Sequence, residues 1–235
     1  MNDFYAGKKK YLVAIDCIIF GVDDGQLKIL LLNRDFEPAK GQLSLIGGFV
    51  GEGESLDEAA YRILYQLTGL SDIFLEQLYA FGEIDRDPGA RVISVAYFSL
   101  LKLQNLDPVH VRDHGAYWCP VSSIPPLIFD HNRMVEMALK KLREQARVRP
   151  IGLKLLPEEF SLPQIQQLFE AIYQRKLDDR NFRKKILQLG ILEKLNKKDK
   201  KGSKKGAFLY RFNEEVYQNY LKNGDRFEML TIDVG

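Results

Sequence analysis

Apolar positions along the first half of the chain follow two periods. Tyr11–Phe20 and Leu27–Leu32 are apolar, β-branched runs separated by Asp23-Asp24-Gly25, which predicts two strands joined by a hairpin turn. A loop carrying Pro38 and Gly41 leads to a third apolar run, Leu43–Phe49. Leu56, Ala59, Ala60, Ile63, Leu64 and Leu67 then recur at helical spacing, and Gly69 stops the helix they predict. Ile73–Ala80 and Val92–Leu103 are expected strands on either side of the turn sequence Asp85-Arg86-Asp87-Pro88-Gly89, and Tyr117–Pro120 adds a short one. From Asn132 to Arg147, Val135, Ala138, Leu139 and Leu142 mark a second amphipathic helix, with Asp130 placed to cap it.

The pattern changes after Arg147. Pro150, Gly152 and Pro157 interrupt any periodicity up to Glu159, as expected of a junction between a domain at 1–150 and another at 151–235. Ser161-Leu162-Pro163-Gln164 has the form of a capping box with proline in the first turn, followed by the stripe Ile165, Leu168, Phe169 and Ile172. A turn at Leu177-Asp178 precedes a second helix, on which Phe182, Ile186 and Leu189 share one side and Arg180, Arg183 and Lys184 another; Gly190 ends it. Ile191–Leu195 and Ala207–Phe212 read as strands joined by the loop N-K-K-D-K-K-G-S-K-K-G. Helix, turn, basic helix and basic hairpin are the parts of a winged helix-turn-helix.

Charge sharpens this division. The net charge is only +2, yet Ser161–Asn213 holds 14 Lys/Arg against 5 Asp/Glu, so the remainder is acidic. A basic module on an acidic partner points to an anionic ligand for one half only. Arg180, Asn181, Arg183 and Lys184 are candidate contacts to bases or phosphates of duplex DNA, and Lys200, Lys201, Lys204 and Lys205 candidate phosphate anchors on the hairpin loop. A solvated loop is the plainer account of such a lysine run, but here the run falls inside a helix-turn-helix frame. No aromatic RNA-binding pair or basic amphipathic anchor accompanies it.

At 235 residues and 46% hydrophobic, the chain can bury two ordinary cores. Tyr11–Phe20 is short and carries Asp16, so neither a membrane span nor a signal sequence is expected, and a cytoplasmic location is. Cys17 and Cys119 lack metal-like spacing and are expected to be free buried thiols; the three histidines give no zinc pattern.

The segment from Gly48 to Leu70 carries the most specific motif. It resembles the Nudix box, in which Gly and Glu precede Arg-Glu-apolar-x-Glu-Glu-x-Gly-apolar; Gly48, Glu54, Arg62, Leu64, Gly69 and Leu70 are in register. In that family the glutamates after the arginine hold the Mg²⁺ or Mn²⁺ of a hydrolase. Here those positions are Ile63, Gln66 and Leu67. A hard cation needs oxygen ligands, and two of the three side chains offer none. The expectation is a catalytically degenerate box without metal or other cofactor, and no enzyme.

Across nearly its whole length the chain resembles the Nudix-related transcriptional regulators of the NrtR type, and within them the arabinose-responsive AraR-type branch. The segments that carry the resemblance are 16–21, 43–50, 85–97, 116–118, 127–131 and 178–187. The resemblance implies an α/β/α Nudix sandwich with a mixed sheet followed by the winged helix. It also implies a homodimer on an inverted-repeat operator and a small-molecule effector, L-arabinose or an ADP-ribose-like nucleotide, that alters DNA affinity. Arg34, Gly47, Gly48 and Arg86 are the candidate effector-binding residues, two donors and two positions of close backbone approach; the plainer account makes each arginine a surface ion-pair residue and the glycines a tight strand-to-loop bend. The competing expectation is an active Nudix hydrolase of ADP-ribose-type nucleotides, using Glu54 and Glu58, with a basic domain attached.

Overall fold

A computed structural model describes residues 7–23, 25–103, 115–149, 151–199 and 206–222. Strands β1 (Leu12–Asp23) and β2 (Gln26–Asn33) form the expected hairpin. β3 (Leu43–Ser44), β4 (Ile46–Phe49), helix α1 (Leu56–Thr68), β5 (Glu76–Phe81), β6 (Val92–Lys102) and β7 (Ala116–Pro120) follow. Helix α2 spans His131–Val148. The seven strands form one mixed sheet in the order β3-β2-β1-β6-β5, with β4 paired to β1 and β7 to β2.

Alternation along β1 explains the layers, because consecutive side chains leave a strand on opposite faces. Cys17 lies against α1, its Sγ 3.9 Å from the Ala60 carbonyl, while Asp16 faces His131 at the start of α2. One helix therefore covers each face, as a Nudix sandwich requires. α1 buries Ala59, Ala60, Ile63 and Leu64; Leu56 and Leu67, expected in the same stripe, are half-buried. Ser55 and Glu58 form its capping box, and Gly69 ends it in the left-handed conformation at φ 69°.

In the second half, β8 (Phe160–Ser161), helix α3 (Leu162–Tyr173), helix α4 (Asp179–Gln188), β9 (Leu192–Asp199), β10 (Ala207–Phe212) and helix α5 (Glu214–Lys222) follow in order. Its sheet runs β8-β10-β9, antiparallel throughout. Ser161 starts α3, and the Gln164 side chain reaches back to its amide at 2.7 Å, so the capping box forms as expected. Phe169, Ile172, Phe182 and Ile186 make the core between α3 and α4.

Four local expectations change. β5 starts at Glu76, with Ile73 and Leu75 buried in the approach to it. β9 runs on to Asp199, so the first four residues of the lysine-rich segment, 196–199, are strand, held by pairing to β10. β8 and α5 had no counterpart in the pattern. Asp130 does not cap α2 with its carboxylate, because both oxygens are taken by Arg86. Cys17 and Cys119 are free and buried, as expected. Among the described residues no helix is long and apolar enough to cross a membrane.

By packing, the chain divides into two compact units. One comprises residues 1–20, 29–100 and 106–138; the other 21–28, 101–105 and 139–235. The second half of α2 thus belongs with the winged helix.

Candidate functional site

An open cleft lies on the α2 face of the large sheet, about 580 Å³ when the space open to solvent is counted, and all four effector candidates, Arg34, Gly47, Gly48 and Arg86, line it. Their roles differ. Arg86 is buried and makes a paired interaction with Asp130, Nε at 3.0 Å from Oδ2 and Nη2 at 2.8 Å from Oδ1. The same Nη2 is 3.6 Å from Asp16. A buried guanidinium needs such compensation, and these carboxylates supply it. Arg34 stands at the rim. Its Nε donates to the carbonyls of Phe36 and Pro38 at 3.2 and 2.6 Å, and its guanidinium lies 3.7 Å from the Phe36 ring centre and 5.8 Å from that of Phe129.

Gly47 and Gly48 sit within β4, paired to Asp16 and Ile15 of β1. A Cβ on Gly47 would come within 2.3 Å of Asp16 Oδ1, and one on Gly48 within 3.2 Å of Ile63. Their lack of side chains is therefore already used for packing, by Asp16 on one face and α1 on the other.

The cleft also holds groups that the local pattern did not single out: Asp16, Phe36, Phe129 and His131. Ser94 donates to Asp16 Oδ2 at 2.6 Å. The Leu45 amide donates to Nδ1 of His131 at 3.1 Å, which assigns the ring hydrogen to Nε2, 3.5 Å from Asp16 Oδ1. Burial lowers the His131 pKa, against the pull of Asp16, so the ring is neutral at pH 7. Phe129 adopts φ 49°, rare for an aromatic residue, and its ring meets that of His131 edge-on at 5.8 Å. The signal that could have found these residues, Phe36 apart, was the set of matching segments. Asp16 comes from 16–21, Gly47 and Gly48 from 43–50, Arg86 and Ser94 from 85–97, and Phe129, Asp130 and His131 from 127–131.

The opposite face carries the Nudix-box helix, on which Ile63, Gln66 and Leu67 occupy the three positions after Arg62 where the box has glutamates. Ile63 is packed on Gly48. Gln66 accepts from Arg62 Nη1 at 3.1 Å, and Arg62 also binds Glu54 at 2.7 Å and the Phe49 carbonyl at 3.0 Å. Hydrogen bonds from Arg62 and the Gly51 amide pull the Glu54 pKa down to about 2. The Ser55 amide likewise holds Glu58 below the ordinary carboxylate range. Both acids are thus committed to shaping the loop and capping α1. Among the described residues no group of three or more His, Cys, Asp or Glu is placed to hold a metal ion.

In the second unit, Arg180, Asn181, Arg183 and Lys184 are all exposed along α4, as expected. Phe182 and Ile186 hold the helix from beneath, and Asp178 accepts from the Asn181 amide at 2.8 Å to cap it. Gln166, buried on α3, donates to the Leu177 carbonyl at 3.1 Å and to Asp179 at 2.7 Å, fixing the turn that aims α4. Lys200, Lys201, Lys204 and Lys205 lie outside the described residues. On the described part of the wing, Lys194 and Lys198 flank the exposed ring of Phe208, at 3.9 and 4.5 Å from its centre. Lys194 and Phe208 were not among the candidates, since only strand register brings them together.

Such a sandwich, followed by a helix-turn-helix with a wing, defines a Nudix domain joined to a nucleic-acid-binding module. Sequence comparison agrees: residues 10–139 match the NUDIX domain and residues 152–212 the NrtR DNA-binding winged helix domain. The chain belongs to the family of NrtR-type regulators. It is 31% identical to the ADPR responsive transcriptional repressor NtrR of Acinetobacter baylyi, over 88% of this chain and 84% of that one. The structure of Shewanella oneidensis NrtR complexed with a 27mer DNA aligns with TM-score 0.73 at 27% identity, covering 88% of this chain and 95% of that chain. The NUDIX domain of the same protein complexed with ADP ribose aligns with TM-score 0.52 at 30% identity, over 60% and 99% of the two chains. The ADP-ribose pyrophosphatase of Methanocaldococcus jannaschii is 32% identical over 53% of this chain and 70% of that enzyme.

Proposed function

We propose that this chain is a transcriptional regulator whose Nudix domain senses an ADP-ribose-type nucleotide and whose winged helix binds an inverted-repeat operator as a homodimer in the cytoplasm. In this reading residues 1–150 carry the sensor and 151–235 the DNA contacts, and ligand binding lowers operator affinity. Nucleotide sensing replaces the arabinose expectation: the relatives name ADP-ribose, and nothing among them supports the arabinose-responsive branch.

One observation carries the proposal. The cleft with its cationic, aromatic rim is open on one face of the sheet, while the box helix on the other presents Ile63, Gln66 and Leu67 where a hydrolase needs carboxylates. The domain therefore has the means to bind a nucleotide without the means to cleave it through that box. A ligand shifts the DNA equilibrium only by its differential affinity for the free and DNA-bound forms.

Fluorescence anisotropy of the full chain on labelled DNA from upstream of its own locus tests this. ADP-ribose should release the protein and L-arabinose should not; an operator affinity indifferent to ADP-ribose overturns the reading. Incubation with ADP-ribose and Mg²⁺ or Mn²⁺ should give no turnover. Appreciable cleavage would return the protein to the hydrolases.

A further inference from the structure

The two arginines of the cleft differ in what they have left to offer. Both terminal nitrogens of Arg34 are without a hydrogen-bond partner among the described residues, although its Nε is fixed by two carbonyls and its plane braced by Phe36. A guanidinium held this way is oriented in advance, so little freedom is lost when it receives an anion. Arg86, by contrast, is spent: its fork is closed on Asp130 and its remaining reach goes to Asp16.

The floor has the opposite polarity. Asp16 and Asp87 line the cleft, and Asp130 stands behind Arg86. His131 adds no charge, since a backbone amide occupies Nδ1. Carboxylates thus outnumber the one guanidinium among them. A phosphate pressed against this floor meets repulsion in a poorly solvated site. A hydroxyl there meets an acceptor, because Asp16 Oδ1 has only the long 3.5 Å approach of His131 Nε2.

We propose, building on the nucleotide-sensing reading, that the cleft is two-ended: Arg34 takes the phosphate of the ligand at the rim, and Asp16 takes sugar hydroxyls at the floor. Arg86 is a positioning residue that holds Asp130 and Asp16 in place and does not touch phosphate. This orientation selects phosphorylated sugars over free ones.

Calorimetric titration of the full chain with ADP-ribose, ribose 5-phosphate and ribose tests it, on wild type and on Arg34→Gln. Wild type should bind ribose 5-phosphate at least about 10-fold more tightly than ribose. Arg34→Gln should weaken both phosphorylated sugars by roughly 10- to 100-fold and flatten the salt dependence of their binding. Arg34→Lys keeps the charge but loses the fork, so it should fall between the two. Circular dichroism checks that each variant is folded. If wild type binds ADP-ribose and both Arg34 variants bind it equally well, the two-ended cleft is wrong and the nucleotide reading survives. If wild type ignores ADP-ribose but Arg34→Gln weakens ribose 5-phosphate, the nucleotide reading fails and the cleft assignment survives. Ribose bound as tightly as ribose 5-phosphate, or no phosphorylated probe bound at all, overturns the assignment.

Discussion

Gly47 and Gly48 are neighbours in sequence but meet different obstacles, and the difference is measurable. An alanine at 47 would press on Asp16 Oδ1 at 2.3 Å and the Ile15 carbonyl at 3.0 Å, while Ser94 and Arg86 hold Asp16 where it is. Gly47→Ala should cost about 1–3 kcal/mol as an overpacked site. At Gly48 the nearest atoms belong to the Ile63 side chain at 3.2 Å, which can yield, so Gly48→Ala should cost less than about 1 kcal/mol. Thermal denaturation of the two variants compares them directly. His131 gives a pH prediction. Burial depresses its pKa below the ordinary 6.5, opposed by Asp16 and Asp130 and reinforced by Arg86 and Arg34. The unfolded chain then binds more protons than the folded one below about pH 6.5. Folded stability should therefore decline as pH falls through that range, and His131→Gln should flatten the decline in urea titrations at pH 7.5 and 5.5. Arg34, Gly47, Gly48 and Arg86 were legible from residue type and motif, and they do share a cleft. That two of them are packing glycines and one a spent arginine was not, because their partners Asp16 and Asp130 arrive from distant segments.

Among the elements, α4 was the most readable, since its apolar side, cap and basic side are all encoded within a few residues. Asp178→Ala should cost about 1 kcal/mol of helix stability and weaken DNA binding without removing any group that reaches DNA. The variant's melting temperature and anisotropy titration should fall together; unchanged DNA affinity in a destabilised variant would show that the cap does not matter to recognition. Asn181→Ala should relax discrimination at one base position, whereas Lys184→Ala should weaken all sequences alike and reduce the salt slope by about one. Strand β8 was illegible for a physical reason. It is two residues long and exists only because Phe160 and Ser161 pair with Tyr210 and Leu209, almost fifty positions away. Asp130 misled for the converse reason, as its local position suggested a cap while Arg86 offered a stronger partner.

For the whole molecule, composition and charge place a change of character near residue 150, and the packing groups the second half of α2 with the later unit. Leu139–Val148 of α2 belongs to the winged-helix unit, where Leu142 and Ala146 are buried and the Tyr173 hydroxyl donates to the Arg143 carbonyl at 3.3 Å. A fragment starting at 151 loses that cover, so 139–235 should melt at a clearly higher temperature than 151–235 by circular dichroism. Equal melting would show that residues 139–150 add nothing to the stability of the second unit. Periodicity could not show this, because α2 is one uninterrupted amphipathic stripe whose two ends serve different cores.

Ser161 belongs to β8 and begins α3, its backbone facing Leu209 of the wing while its amide is tied to Gln164. A tug on the wing by a sugar-phosphate backbone thus arrives at the foot of the helix-turn-helix with no slack segment to absorb it. On the proposed reading α4 and the wing would meet groove and flank as one unit, so an operator whose flanking spacing is off by a step should be refused outright rather than held loosely.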